Sequence, residues 1–524
     1  MIIIQNLSKN FGGKVILDNF SYQFPTNANV ALIGANGVGK TTFLNILCNL
    51  EDYDSGNVII PKDCILAYLP QSPNETPKET ILLECVSGNK TLCDLFEKRE
   101  ALLKRISENY SDEVYEEYEK IEKECADKGG YTLESDSKGI LVGLGFETEQ
   151  FKHHPKTLSG GWRMRLELAK LLINNPNFLI LDEPTNHLDL PSLSWLEQYL
   201  KSFRGTLLFV SHDRDFLNNL SDVTVQMSKG ILRVYNGNFD SFLMQKEEHA
   251  MQVQREKISL QRKQDHMQAF VDRFRAKATK AKQAQSKIKM IERLKQLEMH
   301  LDIEETNKTA HFKMSVEKPS GKIVLNIEDV SIGYGDHILN KQLSLKIMRG
   351  DKIAIIGPNG IGKSTLLKSI VKEIPFIFGE CNIGTNVSIG YYSQEQLDML
   401  DKDKNVLDNI LALAPKIAQT QARSLLGNLF ITKDDIKKQV KVLSGGEKSK
   451  VAIAALLAQK NNFLILDEPT NHLDMSSVEA LSSALERYEG TVLFVSHNRA
   501  FINSFSTHIF KMDKYKKAEL IGVL

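Results

Sequence analysis

Five short blocks occur twice in this chain of 524 residues, in the same order. The first set is Gly34-Ala35-Asn36-Gly37-Val38-Gly39-Lys40-Thr41, Gln71, Leu158-Ser159-Gly160-Gly161, Leu181-Asp182-Glu183-Pro184 and Ser211-His212. The second is Gly357-Pro358-Asn359-Gly360-Ile361-Gly362-Lys363-Ser364, Gln394, Leu443-Ser444-Gly445-Gly446, Leu466-Asp467-Glu468-Pro469 and Ser496-His497. Leu158 to Leu443, Asp182 to Asp467 and His212 to His497 are each 285 positions apart, whereas Lys40 to Lys363 and Gln71 to Gln394 are 323 apart. The chain is therefore a tandem repeat, and its first copy holds 38 extra residues between Gln71 and Leu158. Two copies of one unit must each bury a core, and the length suffices for that.

Each copy reads as an α/β domain. An apolar strand (Ala31–Ile33; Ile353–Ile356) runs into a Gly-rich loop and then a helix (Thr41–Cys48; Ser364–Val371). Phe178–Leu181 and Phe463–Leu466 are short, wholly apolar runs, as buried strands of a parallel sheet require. The loops match G-x-x-x-x-G-K-[ST] in strand–loop–helix context, a pattern whose backbone N–H groups wrap phosphates. Gly34, Asn36, Gly37 and Gly39, with Gly357, Asn359, Gly360 and Gly362, form the expected cradles. Lys40 and Lys363 neutralise β/γ charge, Thr41 and Ser364 offer hydroxyls to Mg²⁺, and Thr42 and Thr365 follow at the helix starts.

Asp182 and Asp467 end apolar strands, which places a carboxylate beside the metal. Glu183 and Glu468 follow, where a carboxylate orients or deprotonates an attacking water. Gln71 and Gln394 follow short strands (Ile65–Leu69; Val387–Tyr392) and are expected to link metal and γ-phosphate to a movable subdomain. His212 and His497 follow strands Thr206–Val210 and Thr491–Val495, at a fixed offset from the acidic pair that favours a γ-phosphate contact. Phe11 and Tyr334 precede the loops by similar distances and either stack on adenine or join the core. Ser159, Gly160 and Gly161, and Ser444, Gly445 and Gly446, open helices whose N-termini can hold a γ-phosphate. In a head-to-tail pair, Ser444 completes the site of Lys40, and Ser159 that of Lys363.

Between the copies, Asn238 to Lys318 contains no Gly or Pro and is rich in helix formers. Met267, Phe270, Val271 and Phe274, then Met290, Leu294, Leu297 and Leu301, recur at helical intervals, which predicts two antiparallel helices turning within Ala276–Ser286 and projecting from the domains. The extra 38 residues predict a shorter hairpin at about 91–130, with Leu95, Leu102, Leu103, Ile106, Val114, Tyr118 and Ile121 on its seam and a stop at Gly129-Gly130. The expected domains are 1–237, 238–321 and 322–524.

The chain has 66 basic and 66 acidic residues, so affinity for nucleic acid must come from a local patch. Arg255 to Lys295 supplies one, with thirteen Lys or Arg against four acids. Six cysteines lack C-x-x-C spacing, which suits reduced thiols in a cytoplasm. Apolar runs are far shorter than a membrane span, and Met1–Ser8 reads as an edge strand, not a leader.

These blocks resemble the ATP-binding-cassette superfamily across both halves. Two cassettes with a charged helical linker are similar to its ABC-F branch, and Leu-Asp-Glu-Pro-Thr-Asn-His-Leu-Asp stands at Leu181–Asp189 and again at Leu466–Asp474. The first signature Leu158–Arg165 and the linker run Asp272–Ser286 resemble the YheS-like bacterial subgroup. The resemblance implies a cytoplasmic, monomeric ATPase using ATP and Mg²⁺. It also implies entry into the ribosomal exit-tRNA site, with the linker directed at peptidyl-tRNA and the peptidyl-transferase centre and release on hydrolysis. Arg273, Arg275, Lys277, Lys280, Lys282 and Lys287 are then the expected RNA contacts. The acid-rich arm (Glu113, Glu116, Glu117, Glu119, Glu122, Glu124) suits a basic ribosomal protein better than RNA. The chain ends at Leu524 without the C-terminal coiled coil of many relatives, and Asn498 replaces Asp213 beside the second histidine, a difference expected to make the sites unequal. Rival readings are the ATPase subunit of a transporter with separate membrane partners, a DNA-associated ATPase, and a ribosome-protecting resistance protein.

Overall fold

The computed structural model describes residues 1–70, 80–108, 111–186, 188–228, 230–274, 286–294, 314, 316–335, 337–393, 399–432, 434–471, 473–513 and 518–522. The chain divides into two compact units. One comprises Met1–Val234 with Ala310–Leu524, and the other Tyr235–Thr309.

Both halves of the larger unit are built alike. In the first, six strands lie in the order Leu66–Leu69, Phe178–Asp182, Thr206–Val210, Asn29–Ile33, Val223–Ser228, Ile231–Asn236. In the second, the order is Ile389–Tyr392, Phe463–Asp467, Thr491–Val495, Lys352–Ile356, His508–Lys511, Glu519–Gly522. The central strands pair in parallel. All five residues of Phe178–Asp182 and of Phe463–Asp467 are buried, as their unbroken apolar sequences require. Loops leaving the ends of such strands gather where the chain order reverses, which is where these sheets hold ligands.

A three-stranded antiparallel sheet accompanies each larger one. Its middle strand in the first half is Ile3–Phe11, flanked by Lys14–Gln23 and Ser55–Ile59. The N-terminal strand is thus central, not the edge strand expected from its sequence. Ile2, Ile4 and Leu7 are buried, and partners on both sides satisfy its backbone.

The insertion is a helical pair, Lys90–Glu108 and Asp112–Asp127. Leu92, Leu95, Leu102 and Cys125 are buried in it, Ile106, Val114, Tyr118 and Ile121 are half-buried, and Leu103 is exposed. Leu103 follows Leu102 by one residue, so the helix turns it off the seam. The second helix stops as expected: Gly129 has φ 79°, its N–H reaches Ala126 O at 3.0 Å, and Gly130 N–H reaches Cys125 O at 2.8 Å. This paired closure is the Schellman motif.

In the smaller unit, Asn238 caps the 36-residue helix Phe239–Phe274 by accepting from Ser241 N–H at 3.1 Å. At about 1.5 Å per residue this helix is about 54 Å long. Its buried positions Val253, Gln264 and Val271 fall on one face. Residues 286–294 are also helical; there Ile291 is buried while Met290 is 52% exposed, so the apolar face runs through Ile291 and Leu294 and leaves Met290 off it. Met267 and Leu294 are half-buried. The expected turn, Leu297 and Leu301 lie outside the described residues.

Candidate functional site

Each P-loop passes into its helix through a glycine with left-handed backbone. Gly39 has φ 113° and Gly362 φ 99°. A Cβ on Gly39 would lie 2.3 Å from Ile16 Cγ2, so both conformation and space demand glycine. Lys40 Nζ donates to Gly34 O at 2.7 Å and Ala35 O at 3.2 Å. Lys363 Nζ donates to Gly357 O at 2.8 Å, Pro358 O at 3.0 Å and Asn359 Oδ1 at 3.1 Å. Each ammonium is folded onto its own loop. Burial lowers both lysine pKa values against the pull of the adjacent carboxylates.

The carboxylates stand beside these loops. Thr41 Oγ1 donates to Asp182 Oδ2 at 2.8 Å, and Ser364 Oγ to Asp467 Oδ1 at 3.0 Å. Burial raises Asp182 to about 6, with the Thr41 bond opposing. A hydroxyl and a buried carboxylate in contact are hard oxygen donors, the set a Mg²⁺ ion takes beside phosphates. Glu183 and Glu468 have φ of 55° and 49°, a strained conformation for a side chain of this size. Their N–H groups reach Val210 O and Val495 O, each at 3.0 Å, which holds the turn in place.

His212 Nε2 lies 3.0 Å from Glu183 Oε1 and 3.2 Å from Asn36 Oδ1. His497 Nε2 lies 3.1 Å from Glu468 Oε1. Burial lowers both imidazoles to about 3 and raises Glu468 to about 8, Asp467 adding to the latter. Burial thus keeps the histidines uncharged at neutral pH and favours the protonated form of Glu468 in the nucleotide-free site. Asp213 and Asn498, the one difference between the histidine loops, do the same job: each side chain accepts a helix-capping N–H at 2.8 Å, from Phe216 and Phe501.

The two halves face each other. A cavity of about 870 Å³ is lined from the first half by Asn36, Gly37, Gly39, Lys40, Thr41, Thr42, Asp182, Glu183 and His212, and from the second by Ser444, Gly445 and Gly446. Ser444 thus stands opposite Lys40, as the head-to-tail expectation requires. Ser444 shares a capping box with Glu447, whose Oε2 accepts from Ser444 N–H at 2.7 Å and Oγ at 2.8 Å. Ser159 opens its helix Gly160–Ile173 without a side-chain cap, and Trp162 stands where Glu447 does, so that position has no carboxylate to reach back to the Ser159 N–H. On the other side, the Asn359 N–H of the second P-loop donates to Asp189 Oδ2 of the first half at 2.9 Å. Arg499 crosses to Glu197, with Nη1 3.1 and 3.2 Å from its oxygens, and to Ser194 Oγ at 2.7 Å.

Tyr334 and Phe11 are exposed platforms, not core. Thr365 Oγ1 donates to Tyr334 Oη at 3.4 Å, and Lys9 Nζ sits 4.6 Å over the Phe11 ring. Gln71, Gln394, Arg275, Lys277, Lys280 and Lys282 lie outside the described residues. Arg273 belongs to the long linker helix and Lys287 to the helical run 286–294. Sequence reasoning missed Asp189, Asp474, Glu447 and Lys450 as parts of the site. The motif repeated at Leu181–Asp189 and Leu466–Asp474 contained the first two, and Ser-Gly-Gly-Glu at Ser444–Glu447 is a readable capping box.

A family model described as ABC transporter matches residues 17–186 and 340–471, and a second with the same description matches 225–312. The ATP-binding protein YdiF of Bacillus subtilis (strain 168) is 40% identical over all of this chain and 82% of its own length. The ATP-binding protein YheS of Escherichia coli (strain K12) is 36% identical over all of this chain and 80% of its own. ABC transporter F family member 5 of Arabidopsis thaliana is 33% identical over 97% of this chain and 74% of its own. Among solved structures, an archaeal ribosome recycling factor, aABCE1, in complex with a ribosomal stalk protein shares the fold at TM-score 0.62 and 20% identity, over 99% of this chain and 90% of that one. Among the described residues no helix is long and apolar enough to cross a membrane. With its duplicated P-loops, carboxylates and signature loops, and with the first P-loop sharing a cavity with the second signature loop, the chain belongs to the ATP-binding-cassette family, in the ABC-F branch, and is a tandem-cassette ATPase.

Proposed function

We propose that this protein is an ATP-gated translation factor that enters the ribosomal exit-tRNA site and acts on peptidyl-tRNA near the peptidyl-transferase centre. The observation that carries this reading is the cavity between Lys40 and Ser444, which ATP would fill from both halves at once. Binding then draws the cassettes together, and hydrolysis releases them. The basic linker, with thirteen Lys or Arg between Arg255 and Lys295, supplies the footprint for RNA phosphate, with Arg273, Arg275, Lys277, Lys280, Lys282 and Lys287 as the contacts. The fold-sharing aABCE1, by its description a ribosome recycling factor, uses the same tandem plan.

In this reading Lys40 and Lys363 swing from their loop carbonyls to the β/γ-phosphates, and the N-termini of the signature helices close on the γ-phosphate. Thr41 with Asp182, and Ser364 with Asp467, would hold Mg²⁺, with Gln71 and Gln394 as the further expected ligands, and such an ion would supply neutralisation of phosphate charge. Glu183 orients the attacking water and takes its proton, Glu468 does so only after losing the proton that burial favours in the nucleotide-free site, and His212 and His497 hold those glutamates in place and contact the γ-phosphate. Phe11 and Tyr334 receive the adenines. The protein works in the cytoplasm as a monomer.

The test is co-sedimentation of the Glu183→Gln/Glu468→Gln variant with ribosomes. ATP-dependent, salt-sensitive pelleting is expected. No pelleting by a variant that demonstrably retains ATP would refute the ribosomal reading and direct the search to separate membrane partners or DNA.

A further inference from the structure

Phe11, the aromatic platform before the first P-loop, has a cation behind it. Lys9 Nζ sits 4.6 Å from the ring centroid, and Lys9 is buried while Phe11 remains 45% exposed. The ring therefore keeps one face for the ammonium and offers the opposite one outward. The ammonium is fixed from its other side as well. Nζ donates to Glu51 Oε1 at 2.9 Å and to Asp52 O at 2.5 Å. A buried ammonium is tolerated only where its charge and donors are met, and here a carboxylate, a carbonyl and a ring face meet them.

Glu51 and Asp52 belong to the segment that follows the P-loop helix Lys40–Leu47. That segment is stitched to the strand beside Lys9. Asp54 N–H donates to Ser8 O at 3.0 Å, and Asp54 Oδ2 accepts from Asn10 N–H at 2.7 Å and from Asn10 Nδ2 at 3.2 Å. Lys9 thus stands between the Phe11 ring and the chain leaving the phosphate-binding helix. The second half keeps the backbone arrangement, with Ile377 N–H donating to Ser331 O at 2.9 Å. Its side chains differ: Ile332, Ile374 and Ile377 occupy the positions of Lys9, Glu51 and Asp54. Tyr334 there is met at its hydroxyl by Thr365 Oγ1, at 3.4 Å.

The face of an aromatic ring carries negative charge, so two stacked π-systems repel there. An ammonium behind Phe11 draws electron density from the outward face and holds the ring at one tilt. Both effects favour an electron-rich purine laid on that face. We propose that Lys9 is a positioning residue for the base at the first ATP site. Acting through Phe11, it sets how tightly the adenine is held and takes no part in holding the phosphates. This rests on the reading that Phe11 receives the adenine.

The test uses full-length protein carrying Glu183→Gln and Lys363→Ala, so that the Lys40 site reports and hydrolysis there is blocked. It is titrated with Mg-ATP and with Mg-tripolyphosphate, which has no base. Phe11→Ala should weaken ATP binding by about tenfold or more and leave tripolyphosphate unmoved. Lys9→Met keeps the apolar stem, and Lys9→Gln keeps a donor for Asp52 O. Each should weaken ATP by about three- to tenfold and leave tripolyphosphate within about twofold of the parent. Lys9→Arg keeps the charge and should stay within about twofold for both ligands. In the Phe11→Ala background, Lys9→Met should cost nothing further. Equal weakening of ATP and tripolyphosphate, or additive effects of the two changes, would show that Lys9 only supports the P-loop helix and would overturn the proposal. Loss of ATP affinity in Phe11→Ala with none in the Lys9 variants would overturn it while leaving Phe11 as the platform. No loss in Phe11→Ala would refute the platform reading and the proposal with it. If Lys9→Met does not fold, Lys9→Gln carries the same comparison.

Discussion

Replacing Glu468 by Gln should change how the stability of the nucleotide-free protein depends on pH. Burial and the neighbouring Asp467 raise the Glu468 carboxyl from its ordinary 4.5 to about 8. Above pH 4.5 the unfolded chain gives up this proton while the folded chain keeps it. Stability from this group is therefore full below about 4.5, falls as pH rises, and levels off above about 8. The other site groups move in separate windows. His497 and His212 are lowered to about 3, so their contributions grow until the unfolded imidazoles, ordinarily near 6.5, have lost their protons, and Asp182, raised to about 6, is nearly finished there. Between pH 6.5 and 8 the Glu468 contribution changes most among these four, and the remainder of the others is common to parent and variant. Counted per pH unit and allowing for partial ionisation near 8, the Glu468 contribution falls by roughly 1–2 kcal/mol across that window. The Gln variant lacks this loss. For a cassette of this size the variant's melting temperature should therefore gain about 3–6 °C on the parent between pH 6.5 and pH 8. Paired thermal melts of parent and variant, without nucleotide, give the answer. A melting difference that stays constant across the window would show that Glu468 is already ionised in the folded protein and that its burial does not hold the proton.

Three further outcomes follow from the same geometry. Gly39→Ala forces a Cβ to 2.3 Å from Ile16 Cγ2 at φ 113°, so nucleotide binding on Lys40 should fail while binding on Lys363 persists, measured by titrating each site in a variant lacking the other lysine. Arg499→Ala leaves Glu197 without its cross-half partner and should weaken ATP-driven closure by about 1–3 kcal/mol, read as a shifted ATP dependence of distance between labels on the two halves; an unshifted curve would show that the contact carries no closure energy. Thr41→Ala removes a donor beside Asp182 and should raise the Mg²⁺ needed for half-maximal hydrolysis about tenfold or more, with Thr41→Ser close to the parent.

Those parts of this protein whose logic is local were legible in the amino-acid chain. Glycine spacing names a P-loop because a few consecutive N–H groups do its work, and apolar runs such as Phe178–Leu181 name buried strands because every side chain points into a core. A constant 285-residue offset identified matching positions in the two halves and located the insertion, down to its stop at Gly129-Gly130. Phase was less legible: Met290 and Leu103 are apolar yet exposed, because one step along a helix turns a side chain by about 100° and only packing selects the face. The central place of Ile3–Phe11 was also hidden, since strand neighbours are set by distant partners. Tertiary structure alone decided the contacts across the halves. Asn359 with Asp189 and Arg499 with Glu197 join residues 170 and 302 positions apart, and no periodicity encodes such pairs. It also decided that Glu183 and Glu468 take left-handed backbone and that burial pushes the Glu468 carboxyl up, because strain and desolvation come from the surroundings of a residue and not from its neighbours in sequence.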